Sequence, residues 1–173
     1  MKFKNMAGRK STPILYFLAI ILFISFFIIK VDILLISSKL TGDIRAVRKI
    51  DKDSYIGILY THSVQKSETS EWYRVGDDEL ILMEERYKDQ GAGLPVDYLY
   101  KFEYYNGGFR LYDINKPFKE FVYRTGAAIA NHRLNIDGKE EEFIKFSSPG
   151  EALKFEVTKV SLGKYLIWRL THG

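Results

Sequence analysis

The sequence has no cysteine among its 173 residues and only three histidines. The missing thiols exclude a disulfide framework, a cysteine nucleophile, a cysteine zinc site and a lipid-modified cysteine near the N-terminus. The histidines lie far apart, and none stands in an H-x-H or H-E-x-x-H pattern that would hold a metal ion. They are His62, His132 and His172. We therefore predict no metal site and no cofactor.

Acidic residues are absent from the first ten positions, which contain four basic ones. The basic residues are Lys2, Lys4, Arg9 and Lys10. They account for the whole net charge of +4, because the rest of the chain has 22 residues of each sign. A nucleic-acid-binding module carries its basic excess on the folded part, where it contacts phosphates. We therefore predict no nucleic-acid partner.

One long apolar run follows this basic flank. Pro13–Ile29 has 17 residues and is interrupted only by Ser25. A second apolar patch, Val31–Ile36, follows Lys30 and contains Asp32. As a helix, the first run spans about 26 Å, and extension through Val31 brings it to about 30 Å, the thickness of a hydrocarbon core. We predict a transmembrane signal-anchor at 13–36 after a cytoplasmic flank at 1–12. The positive-inside rule then places the rest outside the cytoplasm.

A cleaved signal peptide is the competing interpretation of this segment. The hydrophobic region of a signal peptide has about 7–15 residues and ends at a site with small residues. The nearest candidates are Ser37 and Ser38, but Leu35 and Ile36 fill the upstream positions where a small residue is needed. We favour an uncleaved anchor, and a single-pass protein of the cell membrane.

The remainder has the pattern of an all-β protein. We predict a juxtamembrane connector at 37–54, which could add a strand through Ile44, Val47 or Ile50, and one extracytoplasmic β domain at 55–173. Apolar and polar residues alternate over Tyr55–Val64, Asn106-Gly107-Gly108 is a strong hairpin signal, and Lys164–Leu170 reads as the last strand. Turn signals recur throughout, and the pattern gives about nine or ten strands. We therefore expect a single β-sandwich or barrel-like domain.

Thr61-His62-Ser63 places three hydrogen-bonding side chains at the end of an apolar strand. His62 is either a ligand contact or base at the mouth of a cavity, or a structural histidine bonded at the strand's end. A serine hydrolase requires the nucleophile to touch its base, whereas adjacent His62 and Ser63 point to opposite faces of a strand. No G-x-S-x-G motif supplies another serine. We predict no catalytic residues.

Two further segments are candidates for a binding site. If the chain turns back after Ser63, Glu71 could approach His62 and raise its pKa; otherwise Glu71 is an exposed carboxylate. Gly91-Ala92-Gly93-Leu94-Pro95 could aim successive backbone N–H groups at an anion, or could simply form a tight turn.

Taken together, these segments resemble one family. The strings Tyr60-Thr61-His62-Ser63-Val64, then Glu71 and Tyr73, then Gly91-Ala92-Gly93-Leu94-Pro95 are similar to extracytoplasmic domains of unknown function encoded beside TAXI-type TRAP transporters. These transporters are tripartite carriers whose binding proteins capture organic anions. The resemblance is clearest over Tyr55–Pro95. The motif positions that it carries over, without an assigned role, are Thr61, His62, Ser63, Glu71, Gly91, Gly93 and Pro95.

The resemblance implies a non-enzymatic, membrane-anchored accessory or docking component of such an organic-acid transporter. Its partners would be the permease, the TAXI solute-binding protein, or both. The alternative is a sensor that binds a small carboxylate between His62, Glu71 and the Gly91–Gly93 amides. A cell-surface hydrolase with His62 as its base is the least favoured hypothesis.

Overall fold

The computed structural model describes residues 11–63, 66–89, 99–126 and 130–173. These residues form two helices, α1 (Ser11–Ile28) and α2 (Leu162–His172), and eleven strands. The earlier strands are β1 (Lys30–Ser38), β2 (Ile44–Lys49), β3 (Tyr55–Thr61), β4 (Glu68–Val75) and β5 (Leu80–Tyr87). The later strands are β6 (Lys101–Tyr105), β7 (Gly108–Phe118), β8 (Glu120–Arg124), β9 (Arg133–Ile136), β10 (Lys139–Glu142) and β11 (Ala152–Ser161).

The long apolar run forms α1, and its large side chains from Ile14 to Ile28 are exposed. The helix ends at Ile28, well before the predicted end of the anchor at residue 36. Within the described ranges, no helix has the combination of length and hydropathy that a membrane span requires.

The second apolar patch is strand β1, so its assignment to a transmembrane segment was wrong. β1 is a central strand that pairs with β11 along its whole length and with β2 on its other side. Leu34 and Ile36 face the main core, whereas Ile33 packs in a second cluster beneath α2. A strand buried on both faces has the continuous apolar sequence that a short membrane segment also shows. The predicted connector contains β2, so the β body begins at Lys30 rather than at residue 55.

Two antiparallel sheets enclose the main core. One has four strands in the order β2-β1-β11-β8, and the other has seven in the order β10-β9-β3-β4-β5-β7-β6. The core contains residues from both sheets, including Leu34 and Phe155 from the first and Ile58 and Leu111 from the second. The arrangement is a mostly β, sandwich-like body, and neither sheet closes into a barrel. The predicted hairpin at Asn106 and Gly107 is confirmed, since both residues have positive φ between β6 and β7.

The predicted last strand, Lys164–Leu170, is wrong, because this segment is helix α2. Ser161 caps the helix by accepting a hydrogen bond from the Lys164 backbone N–H at 3.3 Å. Tyr165 packs on Val47 and Val160, which covers the outer face of the four-stranded sheet. Leu166, Trp168 and Leu170 stand at every second position, a spacing that also fits a strand. In the helix, Leu166 and Trp168 pack against the cluster beneath it, whereas Leu170 is exposed.

Candidate functional site

The predicted Thr61-His62-Ser63 segment lies at the turn between β3 and β4. Thr61 ends β3, and its backbone N–H donates to the carbonyl of Ala130 at 2.7 Å. The His62 N–H donates to Ser67 at 2.9 Å, and its carbonyl accepts from Lys66 at 2.8 Å, so the turn is closed by its own backbone. The His62 side chain is half-buried and Ser63 is exposed. The hairpin that the sequence suggested therefore forms.

Glu71 lies on the inner face of β4, directly opposite Ile58 rather than at the strand's end. Its Oε2 accepts a hydrogen bond from the hydroxyl of Tyr73 at 2.6 Å and a second from the hydroxyl of Tyr123 on β8. The two hydroxyls are 3.3 Å apart. Glu71 is thus bound by tyrosines at the interior of the sandwich, and is not the exposed carboxylate that was the alternative prediction.

A second carboxylate, Glu85 on β5, is the cross-strand neighbour of Glu71 on β4. Burial and, to a smaller extent, the negative charge of Glu71 raise the pKa of Glu85 to about 7, against the opposing effect of Lys116. Tyr60 belongs to the same group, since burial together with the charges of Glu71 and Glu85 raises the pKa of its hydroxyl to about 12. We call Glu71, Glu85, Tyr60, Tyr73 and Tyr123 the acidic cluster.

Two neighbouring side chains extend the polar surroundings of this cluster. Thr69 is only 3% exposed, and its Oγ1 has no hydrogen-bond partner among the described residues. It lies opposite Tyr60 on β3 and two residues before Glu71 on β4. His132 stacks on Tyr60 at 5.3 Å between ring centroids, and its Nδ1 accepts from the Gly126 N–H at 3.1 Å. Burial lowers the pKa of His132, which favours the neutral ring with its proton on Nε2.

The acidic cluster is chemically suited to a hydrogen-bond donor or a cation. Two facing carboxylates repel a third, so a carboxylate ligand beside Glu71 would be disfavoured unless Glu85 were protonated. The described residues include no group of three or more His, Cys, Asp or Glu side chains that could hold a metal ion. The geometry thus weakens the carboxylate site predicted around Glu71.

The outer face of the same sheet carries an ion network that the sequence did not reveal. The Glu84 side chain is buried and accepts hydrogen bonds from the guanidinium groups of Arg86 and Arg110. Arg86 also stacks over Trp72, 4.6 Å from the ring centroid. Because both carboxylate oxygens are paired, this network is explained as structural compensation for a buried charge.

The other predicted site residues are Gly91, Gly93 and Pro95, and they lie outside the described residues. The anion-binding interpretation of this segment stays a prediction. The strand that precedes this segment in the sequence, β5, ends at Tyr87, which pairs with Thr69 of β4.

A cavity of about 640 Å³ lies between β2, the β9–β10 hairpin and α2. Its lining includes Arg48, Lys139, Lys145 and Arg169. Sequence reasoning missed it, because its walls come from separate segments and Arg169 stands in the stretch that was assigned to the last strand. No local motif marks such a site.

The class of protein defined so far is a two-sheet β body with an acidic, tyrosine-lined interior and an exposed apolar helix in front of it. A family model described as Domain of unknown function (DUF1850) matches residues 56–143, which is just over half of the chain. The chain therefore belongs to this family. The match runs from β3 to the residue after β10 and includes all of the seven-stranded sheet except Tyr55. No curated protein and no solved structure matches the chain.

Proposed function

We propose that this protein is a membrane-held, non-catalytic accessory or docking component of a TAXI-type TRAP organic-acid transporter. In this proposal the N-terminal flank is cytoplasmic and the β body is extracytoplasmic. The observation that carries the membrane part is the exposure of the apolar side chains of α1. The transporter part is supported by the resemblance of the Thr61–Val64, Glu71–Tyr73 and Gly91–Pro95 strings.

The apolar surface of α1 requires a cover. Its exposed side chains are almost entirely Ile, Leu and Phe, and the helix contains no charged residue. Transfer of one such side chain out of water is favourable by about 1.5–3 kcal/mol. A lipid bilayer covers all sides of a helix at once, whereas a protein groove covers one side. Basic residues before the run favour a cytoplasmic N-terminus.

Helix α2 supports the same location for the membrane. Gly163, Ile167 and Leu170 follow each other on one face of the helix, and Ile167 and Leu170 are exposed. Gly163 lies against Phe26 of α1, where an added Cβ would come within 3.3 Å of the ring. The exposed apolar side of α2 is therefore continuous with that of α1. On this proposal, α2 lies at the membrane surface with Ile167 and Leu170 toward the lipid.

Attachment would also serve the docking role. A body held beside a membrane carrier meets its partner at a high effective concentration without any additional contact. Free strand edges offer backbone groups for such docking, and β6 is an outer strand of the seven-stranded sheet with an exposed Tyr104.

Polar substitution in α1 tests the membrane part. In the full chain, Leu18→Asp with Leu22→Asp should move the protein from floating membranes to the supernatant, because two charges in the bilayer are strongly unfavourable. Leu40→Asp is the matched control, since Leu40 is 92% exposed in the turn after β1 and should leave flotation unchanged. Retention of the double variant in membranes would refute attachment through α1.

Two further measurements test orientation and partner. Protease added to intact spheroplasts should digest the β body, and protection until lysis would reverse the proposed topology. After crosslinking in native membranes, the permease or the TAXI binding protein should co-purify with the full chain. Recovery of neither would count against the transporter association while leaving membrane attachment intact.

The second candidate function is a small-carboxylate sensor. The acidic cluster does not favour it at Glu71, as the repulsion between carboxylates shows. The observation that favours it is the cavity beside α2, whose chemistry is argued next.

A further inference from the structure

We propose that the cavity between β2, the β9–β10 hairpin and α2 binds small organic carboxylates, with dicarboxylates preferred. We call it the cationic cavity. The proposal extends the ligand-binding alternative above and places it at residues that the sequence did not suggest. It does not depend on membrane attachment or on a transporter partner.

The positive charges of the cavity are available. Lys139 and Lys145 are exposed, and neither forms an ion pair with any residue in the described ranges. Arg169 donates to the hydroxyl of Tyr165 at 3.3 Å and likewise has no carboxylate partner in those ranges. Three cations thus border one cavity, and none of them has an ion-pair partner among the described residues.

The acidic residues of the cavity, in contrast, are occupied. Glu141 is bound by Arg48 through two hydrogen bonds, each 2.9 Å long. Glu140 accepts from Arg133 at 2.9 Å. Asp137 accepts from the Ser54 hydroxyl at 2.9 Å and from the Tyr55 backbone N–H at 2.8 Å.

These three carboxylates therefore already accept hydrogen bonds from other residues of the protein. The cations that can bind a ligand are Lys139, Lys145 and Arg169.

The walls between these charges are apolar. Val47, Leu134 and Tyr165 are buried at the base of the cavity, and Ile136 is half-buried beside them. A volume of about 640 Å³ is typical of sites for small molecules. An apolar base with charged groups at the rim suits a short carbon chain that carries an anionic group at each end.

The nature of the cations favours carboxylates in particular. The guanidinium of Arg169 is planar and matches the two oxygens of a carboxylate through parallel N–H donors. The two lysines act as point charges with rotatable donors and can follow ligands of different length. Two groups of cations on different segments can hold two carboxylates, which is why we expect dicarboxylates to bind better than monocarboxylates.

Calorimetry on the full chain in detergent tests the proposal. The probes are glutarate, citrate, acetate and the uncharged glutaramide. We expect heat of binding with glutarate or citrate, weaker binding with acetate and none with glutaramide. Lys145→Gln and Arg169→Gln should each weaken dicarboxylate binding by about 10- to 100-fold, because each removes a charge-assisted hydrogen bond. Lys119→Gln, an exposed lysine between β7 and β8, is the control and should bind as the wild type does.

Several outcomes would overturn the proposal. If no dicarboxylate gives heat of binding at millimolar concentration, the proposed ligand class is wrong. If Lys145→Gln and Arg169→Gln bind as the wild type does, the proposed location is wrong. Inorganic phosphate binding as tightly as glutarate would show a general anion surface rather than a carboxylate site. Circular dichroism of each variant identifies misfolding, and Lys145→Arg should retain binding because the charge remains. The flotation of these variants should be unchanged, which separates this test from that of the membrane attachment.

Discussion

The acidic cluster and the cationic cavity are two polar regions of one β body, and they are built in different ways. The cluster lies on the inner face of β4 and β5 and is covered by Tyr123 of β8. β8 is one edge strand of the four-stranded sheet, and β2 is the opposite edge strand. The cavity lies at β2. In the cluster, charges are enclosed by the sheets. In the cavity, the charges stand at the start of β10, just after β10 and on α2, and all three side chains are exposed.

The difference teaches what each region contributes. Enclosed carboxylates depend on hydrogen bonds and on protonation for their stability, so the cluster is coupled to folding. Exposed lysines add little to folding when they lack partners, and their charges remain free for a ligand. We therefore expect substitutions in the cluster to change stability and substitutions in the cavity to change binding.

The largest effect on stability is expected for Tyr123→Phe. The change removes a hydroxyl that donates to the Glu71 carboxylate and leaves that charge with one tyrosine donor. A hydrogen bond to a charged group contributes about 1.5–3 kcal/mol, so the free energy of unfolding at pH 8 should fall by that amount. Urea unfolding measures it. Tyr104→Phe, at an exposed position of β6, should have no measurable effect, and an equal loss in both variants would contradict the assigned role of Glu71.

A smaller and pH-dependent effect is expected for Glu85→Gln. The folded protein holds the proton of Glu85 up to pH of about 7, whereas the unfolded chain releases it near the ordinary pKa of 4.5. Stability from this group is therefore complete below pH 4.5 and is lost as the pH rises through 7.

The Glu85→Gln variant has no carboxyl group to titrate at this position, so its free energy of unfolding does not fall as the pH rises through 7. It should be as stable as the wild type at pH 4.5 and more stable by about 1–2 kcal/mol at pH 8, after allowance for partial exposure. Chemical unfolding at the two pH values measures the difference. Glu79→Gln, outside the cluster, should show the same difference from the wild type at both values.

The smallest effect on stability is expected in the cationic cavity. Lys139→Gln and Lys145→Gln should each change the free energy of unfolding by less than about 0.5 kcal/mol, because exposed side chains without partners contribute little. The same urea assay applies. A loss of 1 kcal/mol or more would mean that the lysines compensate charges in the fold, and the comparison with the cluster would no longer hold.

Much of the β body was predictable because alternation and turn chemistry are local signals. The β3 strand follows from apolar residues at every second position. The β6–β7 hairpin follows from Asn106 and Gly107, which accept positive φ. The errors fell where the local pattern is ambiguous. Ile33–Ile36 is apolar on both faces because β1 lies between two hydrophobic clusters, and α2 shows alternation that also fits a strand.

The candidate site was predictable only in part. The sequence identified Glu71 and the turn at His62, but the partners of Glu71 come from three separate strands and required the fold. Tyr123 is 52 residues away from Glu71 in the chain. The cavity likewise joins β2 near residue 48 with α2 near residue 169, and no spacing rule connects them.

A single residue, Ile29, separates the end of α1 from the start of β1. The Leu162 N–H bonds to the carbonyl of this residue at 2.8 Å, so the junction is clasped on its other side by the beginning of α2. A one-residue junction of this kind leaves no flexible linker between the helix and the β body. A change in the tilt of α1 would therefore displace β1, which is a central strand of the four-stranded sheet.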